Sequence, residues 1–216
     1  MEELFKYNFA VGRVMPSGVQ ILGSAFLASK SGHFVTAQHV VGESDTGLVI
    51  IMPRHTNIND YQDSSNRNIS HAEAVIESID KTKDIAILRT PGFTYSKALD
   101  LGSVDEVKVG GEVIIVGYPH CVDGRLIATV QNATVGAKVL LTSAGQKLKH
   151  AIANIQARPG QSGSLVYCSE AKKVVGMLVG TYIPESQTMI SLLGINPAEL
   201  NQTTHIISAE YMSKMI

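Results

Sequence analysis

Apolar positions along this chain come in short runs rich in Val and Ile, separated by clusters of Gly, Asn, Asp and Ser. Runs of this length and make-up predict β-strands. In the first half they are Val19–Leu22, Ala25–Ala28, His33–Thr36, Leu48–Met52, Ala72–Ile79 and Ile85–Arg89. In the second half they are Glu112–Gly117, Leu126–Val135, Lys138–Thr142, His150–Gln156, Ser164–Tyr167, Val174–Val179 and His205–Ser208. Regular short strands with turn signals favour barrels or sandwiches over βαβ units. A short helical turn is expected after His39. Ala209–Ile216 has apolar residues at helical spacing and predicts a terminal helix. Pro53–Ser70 is rich in Asn, Asp and Ser and reads as an exposed loop. Pro184–Thr204 reads as a second irregular stretch.

The length of 216 residues suits one large all-β domain or two coupled barrels, with the boundary between halves inside Pro91–Ser103. Charged residues make up 17% and hydrophobic ones 44%, a globular balance. Net charge is −1 and no Lys/Arg block exceeds two, so neither a nucleic acid nor an anionic membrane is an expected partner. The start of the chain is acidic and lacks the apolar core of a signal peptide, and no run approaches the ~18 apolar residues of a membrane span. The two cysteines, Cys121 and Cys168, make no disulfide framework, and whether they pair is left open. Asn68-Ile-Ser70, Asn132-Ala-Thr134 and Asn201-Gln-Thr203 match the glycosylation pattern and read as chance matches.

The candidate chemistry lies in three segments. They are Thr36-Ala-Gln-His39, Asp84-Ile-Ala-Ile-Leu88 and Gly160-Gln-Ser162-Gly163, with His39, Asp84 and Ser162 spaced 45 and 78 residues apart. A serine that attacks a carbonyl needs an imidazole to take its proton and a carboxylate to fix the imidazole tautomer. It also needs backbone N–H groups aimed at the developing oxyanion. Each segment alone has a plainer reading as a turn serine, a surface histidine or a strand-edge aspartate. Their coincidence with these flanks is what points to catalysis. His33, His55, His71, His120, His150 and His205 are competing histidines. Zinc at His120 and Cys121 would have two ligands where about four are needed, so no metal or other cofactor is expected.

These segments resemble those of the chymotrypsin/trypsin-like serine proteases, disulfide-poor bacterial or viral type. Gly23–Gly32 is similar to the first hairpin of such members, and Val174–Gly180 to the strand lining the substrate cleft. The resemblance runs from about residue 20 to about 208. It implies an all-β fold of two six-stranded antiparallel Greek-key barrels with a short C-terminal helix. Residues 1–98 would carry His39 and Asp84, and residues 99–216 would carry Ser162. It implies a serine endopeptidase acting on proteins or peptides through an acyl-enzyme, with Gly160 and Ser162 supplying the oxyanion hole. Gln156, Val179, Gly180, Thr181 and His205 would bind the residue before the scissile bond. None of these is a carboxylate, so uncharged residues are expected there, although Glu185 could fold back towards the pocket. Gln161 stands where digestive members have an Asp, so activation by a freed N-terminus is not expected. Secreted members are usually rich in disulfides, which suggests a cytoplasmic, intracellular location. A catalytically idle peptide-binding member of the same fold is the alternative. Oligomeric state and physiological substrate are not legible in the sequence.

Overall fold

The computed structural model describes residues 2–55, 57–182 and 203–216. A short helix α1 (Glu2–Phe5) precedes a seven-stranded antiparallel sheet. Its strands are β1 (Asn8–Met15), β2 (Gly18–Leu27), β3 (His33–Ala37), β4 (Leu48–Ile51), β5 (His71–Glu73), β6 (Val75–Asp80) and β7 (Ile85–Arg89). They lie in the order β5-β4-β1-β2-β3-β7-β6. The two edge strands are consecutive in the chain, joined by buried Ala74, so the sheet curls into a half-barrel. Every residue of β4 is buried, as an unbroken apolar run of Leu, Val and Ile leads one to expect of a strand covered on both faces.

The second half is a closed six-stranded barrel. It comprises β8 (Glu112–Gly117), β9 (Thr129–Ser143), β10 (Gln146–Ala153), β11 (Leu165–Cys168), β12 (Lys173–Tyr182) and β13 (Thr203–Ser208), in the order β10-β13-β12-β11-β8-β9. Ala144 and Gly145 join β9 to β10 with φ of 47° and 77°. Two successive positive φ values match the right-handed twist of a tight hairpin. One apolar cluster spans both halves: Phe26, Val35, Ile85 and Ile87 pack with Val116, Leu165, Met177 and Ile207. Burying a side chain of this size contributes roughly 1.5–3 kcal/mol. This shared core holds the two sheets at a fixed mutual position, and the segments that carry the candidate residues meet beside it.

The all-β reading holds, with differences in detail: Val19–Leu22 and Ala25–Ala28 form the single strand β2, and Ala72–Ile79 divides into β5 and β6. The first sheet has seven strands and, unlike the barrel, is not closed. Its extra strand, β1, contains Gly12 and Arg13, which mask the apolar run; pairing with β2 and β4 makes it a strand. A methyl group on Gly12 would lie 2.8 Å from the Gln20 carbonyl, so glycine permits the close pairing at that bulge. The two runs Leu126–Val135 and Lys138–Thr142 belong to the single strand β9. Gly136 continues it, leaving room for the Asn154 side chain. The expected terminal helix is one 3₁₀ turn, Ala209–Tyr211, whose Ala209 and Met212 are buried against the shared core. Burial of Ala209 and Met212 against the shared core fixes the turn.

Candidate active site

His39 sits in a one-turn helix, α2 (Gln38–Val41), immediately after β3, and Asp84 immediately before β7. These strands are antiparallel neighbours with Ala37 opposite Ile85, so their registered ends bring together residues 45 apart in sequence. The Asp84 carboxylate accepts two bonds from His39. The backbone N–H reaches Oδ1 at 2.8 Å, and ring Nδ1 lies 2.6 Å from Oδ2. The Gln38 N–H donates to the Asp84 carbonyl at 3.1 Å. Asp84 has φ of 54°, a left-handed conformation that Asp tolerates better than most side chains. A carboxylate at Nδ1 favours the tautomer with a proton on that nitrogen, leaving Nε2 as the acceptor. The His39 and Asp84 side chains are 49% and 31% exposed. Solvent weakens their Coulomb attraction, so the pair contributes orientation more than stability.

Ser162 lies in the turn before β11. Gly160 and Gly163 flank it with φ of 88° and 90°, which glycine adopts without strain. Close packing demands glycine as well. A methyl on Gly163 would lie 1.9 Å from the Ser24 carbonyl oxygen, and one on Gly160 would lie 2.6 Å from Cys121 Sγ. The Ser162 turn therefore rests on β2 on one side and on the Tyr118–Cys121 segment on the other. Ser24 ties the three together. Its N–H donates to the Ser162 carbonyl at 3.0 Å and its Oγ to the Gly160 carbonyl at 2.8 Å, while the Tyr118 N–H donates to Ser24 Oγ at 2.9 Å. A methyl on Gly23 would lie 2.8 Å from Val40 Cγ1 and 3.2 Å from the Ser162 carbonyl oxygen. The residue after His39 and the candidate nucleophile thus flank the same point on β2. Ser162 is half-buried, and its Oγ donates to the Val179 carbonyl over a long 3.4 Å.

Neighbouring amides in the turn are committed: Gln161 N–H to Arg158 O, Gly163 N–H to Leu178 O and Ser164 N–H to Gln161 O. Among the described residues, the Gly160 and Ser162 N–H groups have no acceptor. Gln161 is fully buried. Its Oε1 accepts the Arg158 N–H at 2.7 Å and its Nε2 donates to Gln131 Oε1 at 2.6 Å. A neutral amide pair thus anchors the turn at the position where the resemblance would have put a charged one.

The segments expected to bind substrate also converge. Gly180 pairs with His205 and Thr181 with Thr204 across β12 and β13. Thr204 Oγ1 accepts the Ala157 N–H at 3.0 Å and donates to the Ile155 carbonyl at 2.6 Å, which draws in the stretch containing exposed Gln156. His205 is buried, with its ring 6.3 Å from that of His150. Burial holds both imidazoles below their ordinary range, and for His205 the nearby His150 adds to the effect. The side chain of Thr181 and all of Glu185 lie outside the described residues.

The remaining candidates are placed elsewhere. His33 bonds Ser29 Oγ through Nδ1 at 2.5 Å and faces Glu77 through Nε2 at 3.0 Å, at the far end of β3 from His39. His71 is on the edge strand β5, and His120 lies 3.8 Å from Asp123. Cys121 and Cys168 are free thiols, both buried. Burial pushes the Cys121 thiol up to about 12, so it stays protonated and packs as a small apolar group beneath Gly160. Among the described residues, no group of three or more His, Cys, Asp or Glu is placed to hold a metal, and no helix is long and apolar enough to cross a membrane. Sequence reading missed Ser24 and Thr204. Both carry their weight through long-range hydrogen bonds, and an isolated Ser or Thr gives no local signal of that.

Comparison with known proteins agrees with this fold. A family model described as "Trypsin-like peptidase domain" matches residues 23–177. A probable periplasmic serine endoprotease, DegP-like, of Hahella chejuensis (strain KCTC 2396) is 27% identical over 177 residues, covering 81% of this chain and 33% of the relative. A relative of the same description in Ectopseudomonas mendocina (strain ymp) is 31% identical over 114 residues, covering 53% of this chain and 21% of the relative. The chain therefore spans between about a fifth and a third of the length of these relatives. Among solved structures, the MamO protease domain of Magnetospirillum magneticum aligns with a TM-score of 0.69 at 11% identity, covering 99% of this chain and 97% of that one. An M. tuberculosis protease in its active form aligns with a TM-score of 0.68 at 17% identity, covering 99% and 80%. The expected cytoplasmic, intracellular location does not stand, because these curated relatives are periplasmic by name. The inference from few cysteines fails for a physical reason: both thiols are packing groups inside the fold, and packing is indifferent to the redox compartment. Fold and family model agree, and the chain belongs to the trypsin-like peptidase family, within the chymotrypsin/trypsin-like serine proteases.

Proposed function

We propose that the chain is a serine endopeptidase whose triad is His39, Asp84 and Ser162, and that it works in a periplasmic setting as its relatives' names describe. The observation that carries the reading is the two-point grip of Asp84 on His39, at 2.8 and 2.6 Å, beside a turn whose Gly160 and Ser162 amides are uncommitted. In this reading the Ser162 hydroxyl turns from the Val179 carbonyl to His39 Nε2. Its Oγ bonds to the scissile carbonyl carbon as the proton moves to Nε2. The oxyanion that forms is held by the Gly160 and Ser162 N–H groups. The carbon–nitrogen bond then breaks, and His39 returns the proton to the leaving amine. Water repeats the sequence on the acyl-enzyme, with His39 again as base. The Asp84 carboxylate, bonded to His39 Nδ1, steadies the imidazolium. Each oxyanion donor is worth roughly 10²–10³ in turnover. Residues 1–98 and 99–216 are proposed as the two units that meet at this cleft, since the strands of the first sheet end at Arg89 and those of the barrel begin at Glu112.

The proposed substrates are proteins or peptides with an uncharged residue before the cut, seated among Gln156, Val179, Gly180, Thr181 and His205. A fluorophosphonate probe tests the chemistry. Labelling at Ser162, absent in Ser162→Ala, is the expected result. Absence of labelling in a folded wild-type chain would favour the idle, peptide-binding reading. Ser162→Ala removes one hydroxyl and opens no core cavity, so its stability should stay within about 0.5 kcal/mol of wild type.

A further inference from the structure

Pro53–Ser70, expected from sequence to be an exposed loop, is mostly exposed over 57–70, yet this stretch is also bound to the far half of the molecule. Gln62 Nε2 donates to the Ala128 carbonyl at 2.9 Å, and the Ala128 N–H donates back to Gln62 Oε1 at 2.8 Å. The side-chain amide thus exchanges two bonds with one residue's backbone, as a neighbouring β-strand would. Arg67 Nη1 donates to the Gly124 carbonyl at 3.0 Å. Ile58 and Ile69 pack on a cluster containing Tyr118, Cys121, Leu126 and Ala128.

The partner segment, 118–128, has little regular structure of its own. It holds one 3₁₀ turn, Cys121–Asp123, flanked by His120 and Gly124 in left-handed conformations. A histidine at φ of 59° needs its surroundings to hold it there. This same segment seats the oxyanion turn. The His120 N–H donates to the Pro159 carbonyl at 2.6 Å, Cys121 Sγ donates to the Gly160 carbonyl at 3.7 Å, and Gly160 packs directly on Cys121 and the Tyr118 carbonyl.

We infer that the 57–70 stretch is a strap that sets the position of Gly160, with Gln62 as a positioning residue acting through Ala128 and the 118–128 segment. The inference rests on the role proposed above for the Gly160 amide. It deepens that role by naming what holds the donor in place from the other half of the fold. Gln62 does not touch substrate. The segment's own backbone bonds are local turn contacts, among them Cys121 N–H to Tyr118 O, Asp123 N–H to His120 O and Gly124 N–H to Cys121 O. The Gln62 clamp adds the tie to the 57–70 stretch, and Gly160 follows the segment.

The experiment compares wild type, Gln62→Ala and Gln62→Glu in the full chain, by two measurements. The first is the rate at which a fluorophosphonate inactivates Ser162. The second is amide hydrogen exchange at His120 and Cys121, with the β3–β7 ladder as internal reference. Loss of both clamp bonds in Gln62→Ala should slow inactivation about tenfold, the size that one to two hydrogen bonds govern. It should speed exchange at His120 and Cys121 by about the same factor and leave the β3–β7 ladder unchanged. Gln62→Glu keeps the acceptor for Ala128 N–H but loses the donor, and should fall between. Unchanged exchange at His120 and Cys121 overturns the strap whether or not the chain reacts. Unchanged inactivation in a reactive wild type overturns it as well. Faster exchange spread evenly over the reference ladder shows general destabilisation and also overturns it. A wild type that never reacts overturns the proposed function instead, and the exchange measurement then decides the strap alone.

Discussion

Gly163 and the Ser24 carbonyl are packed so tightly that a single added methyl would come within 1.9 Å of the oxygen. Thr36 Oγ1 closes the same space from β3, 2.6 Å from that methyl, while donating to the Ser24 carbonyl at 2.7 Å. The second glycine of the Gly-Gln-Ser-Gly turn is therefore a point at which the Ser162 turn docks on the first sheet. Gly163→Ala should be destabilised by at least about 1–3 kcal/mol, from overpacking and from an alanine forced to φ of 90°. It should also lose most turnover, because Ser162 would move with the turn. Thermal unfolding together with fluorophosphonate labelling checks both outcomes. A variant with wild-type melting and labelling would show that the turn docks elsewhere.

Asp84→Asn keeps a side chain that accepts the left-handed backbone and can still bond His39. It removes the charge that favours the imidazolium and allows the wrong ring tautomer. Turnover should fall roughly 10³–10⁴-fold, with circular dichroism unchanged. A loss below about tenfold would mean that Asp84 has no part in orienting the base.

Buried His150 and His205 make stability depend on pH. Burial lowers both pKa values in the folded state, so below the unfolded value of about 6.5 the unfolded chain binds more protons than the folded one. Their contribution to stability is complete above about pH 6.5 and declines as pH falls from there towards the folded values. The melting temperature should therefore drop between pH 7 and pH 5. His150→Gln should flatten that drop, because it removes one titrating ring and the neighbour that further lowers the other. A slope identical to wild type would exclude this pair as its source.

The walls expected around the residue before the scissile bond carry no carboxylate among the described residues. A buried Lys or Arg would lack an ionic partner there, which costs several kcal/mol. Cleavage of a peptide library should select apolar or amide residues at that position. A profile dominated by Lys and Arg would overturn the assignment, and its loss in Glu185→Gln would identify the missing carboxylate.

The sequence by itself determined the strand-rich architecture and singled out the three residues proposed above as a triad. Period and β-branched content mark a strand wherever a run is apolar throughout, as at Leu48–Ile51 and Ile85–Leu88, and those strands lie where expected. Asp84, His39 and Ser162 are legible as candidates because each stands in a short segment with distinctive flanks next to an apolar run: Asp84 directly before β7, His39 in the turn after β3 and Ser162 in the glycine turn before β11. Tertiary structure decided what depends on partners remote in the chain. Asn8–Met15 became a strand through pairing with β2 and β4, the terminal segment became one turn through burial of Met212, and 57–70 became a strap because Gln62 found Ala128 across 66 residues. Ser24 carries the meeting of sheet, turn and Tyr118 segment with nothing in its neighbours to announce it. A hydrogen bond between remote residues leaves no periodicity in the sequence. It exists only once the shared core has set the distance between the two halves, and that distance is a property of packing.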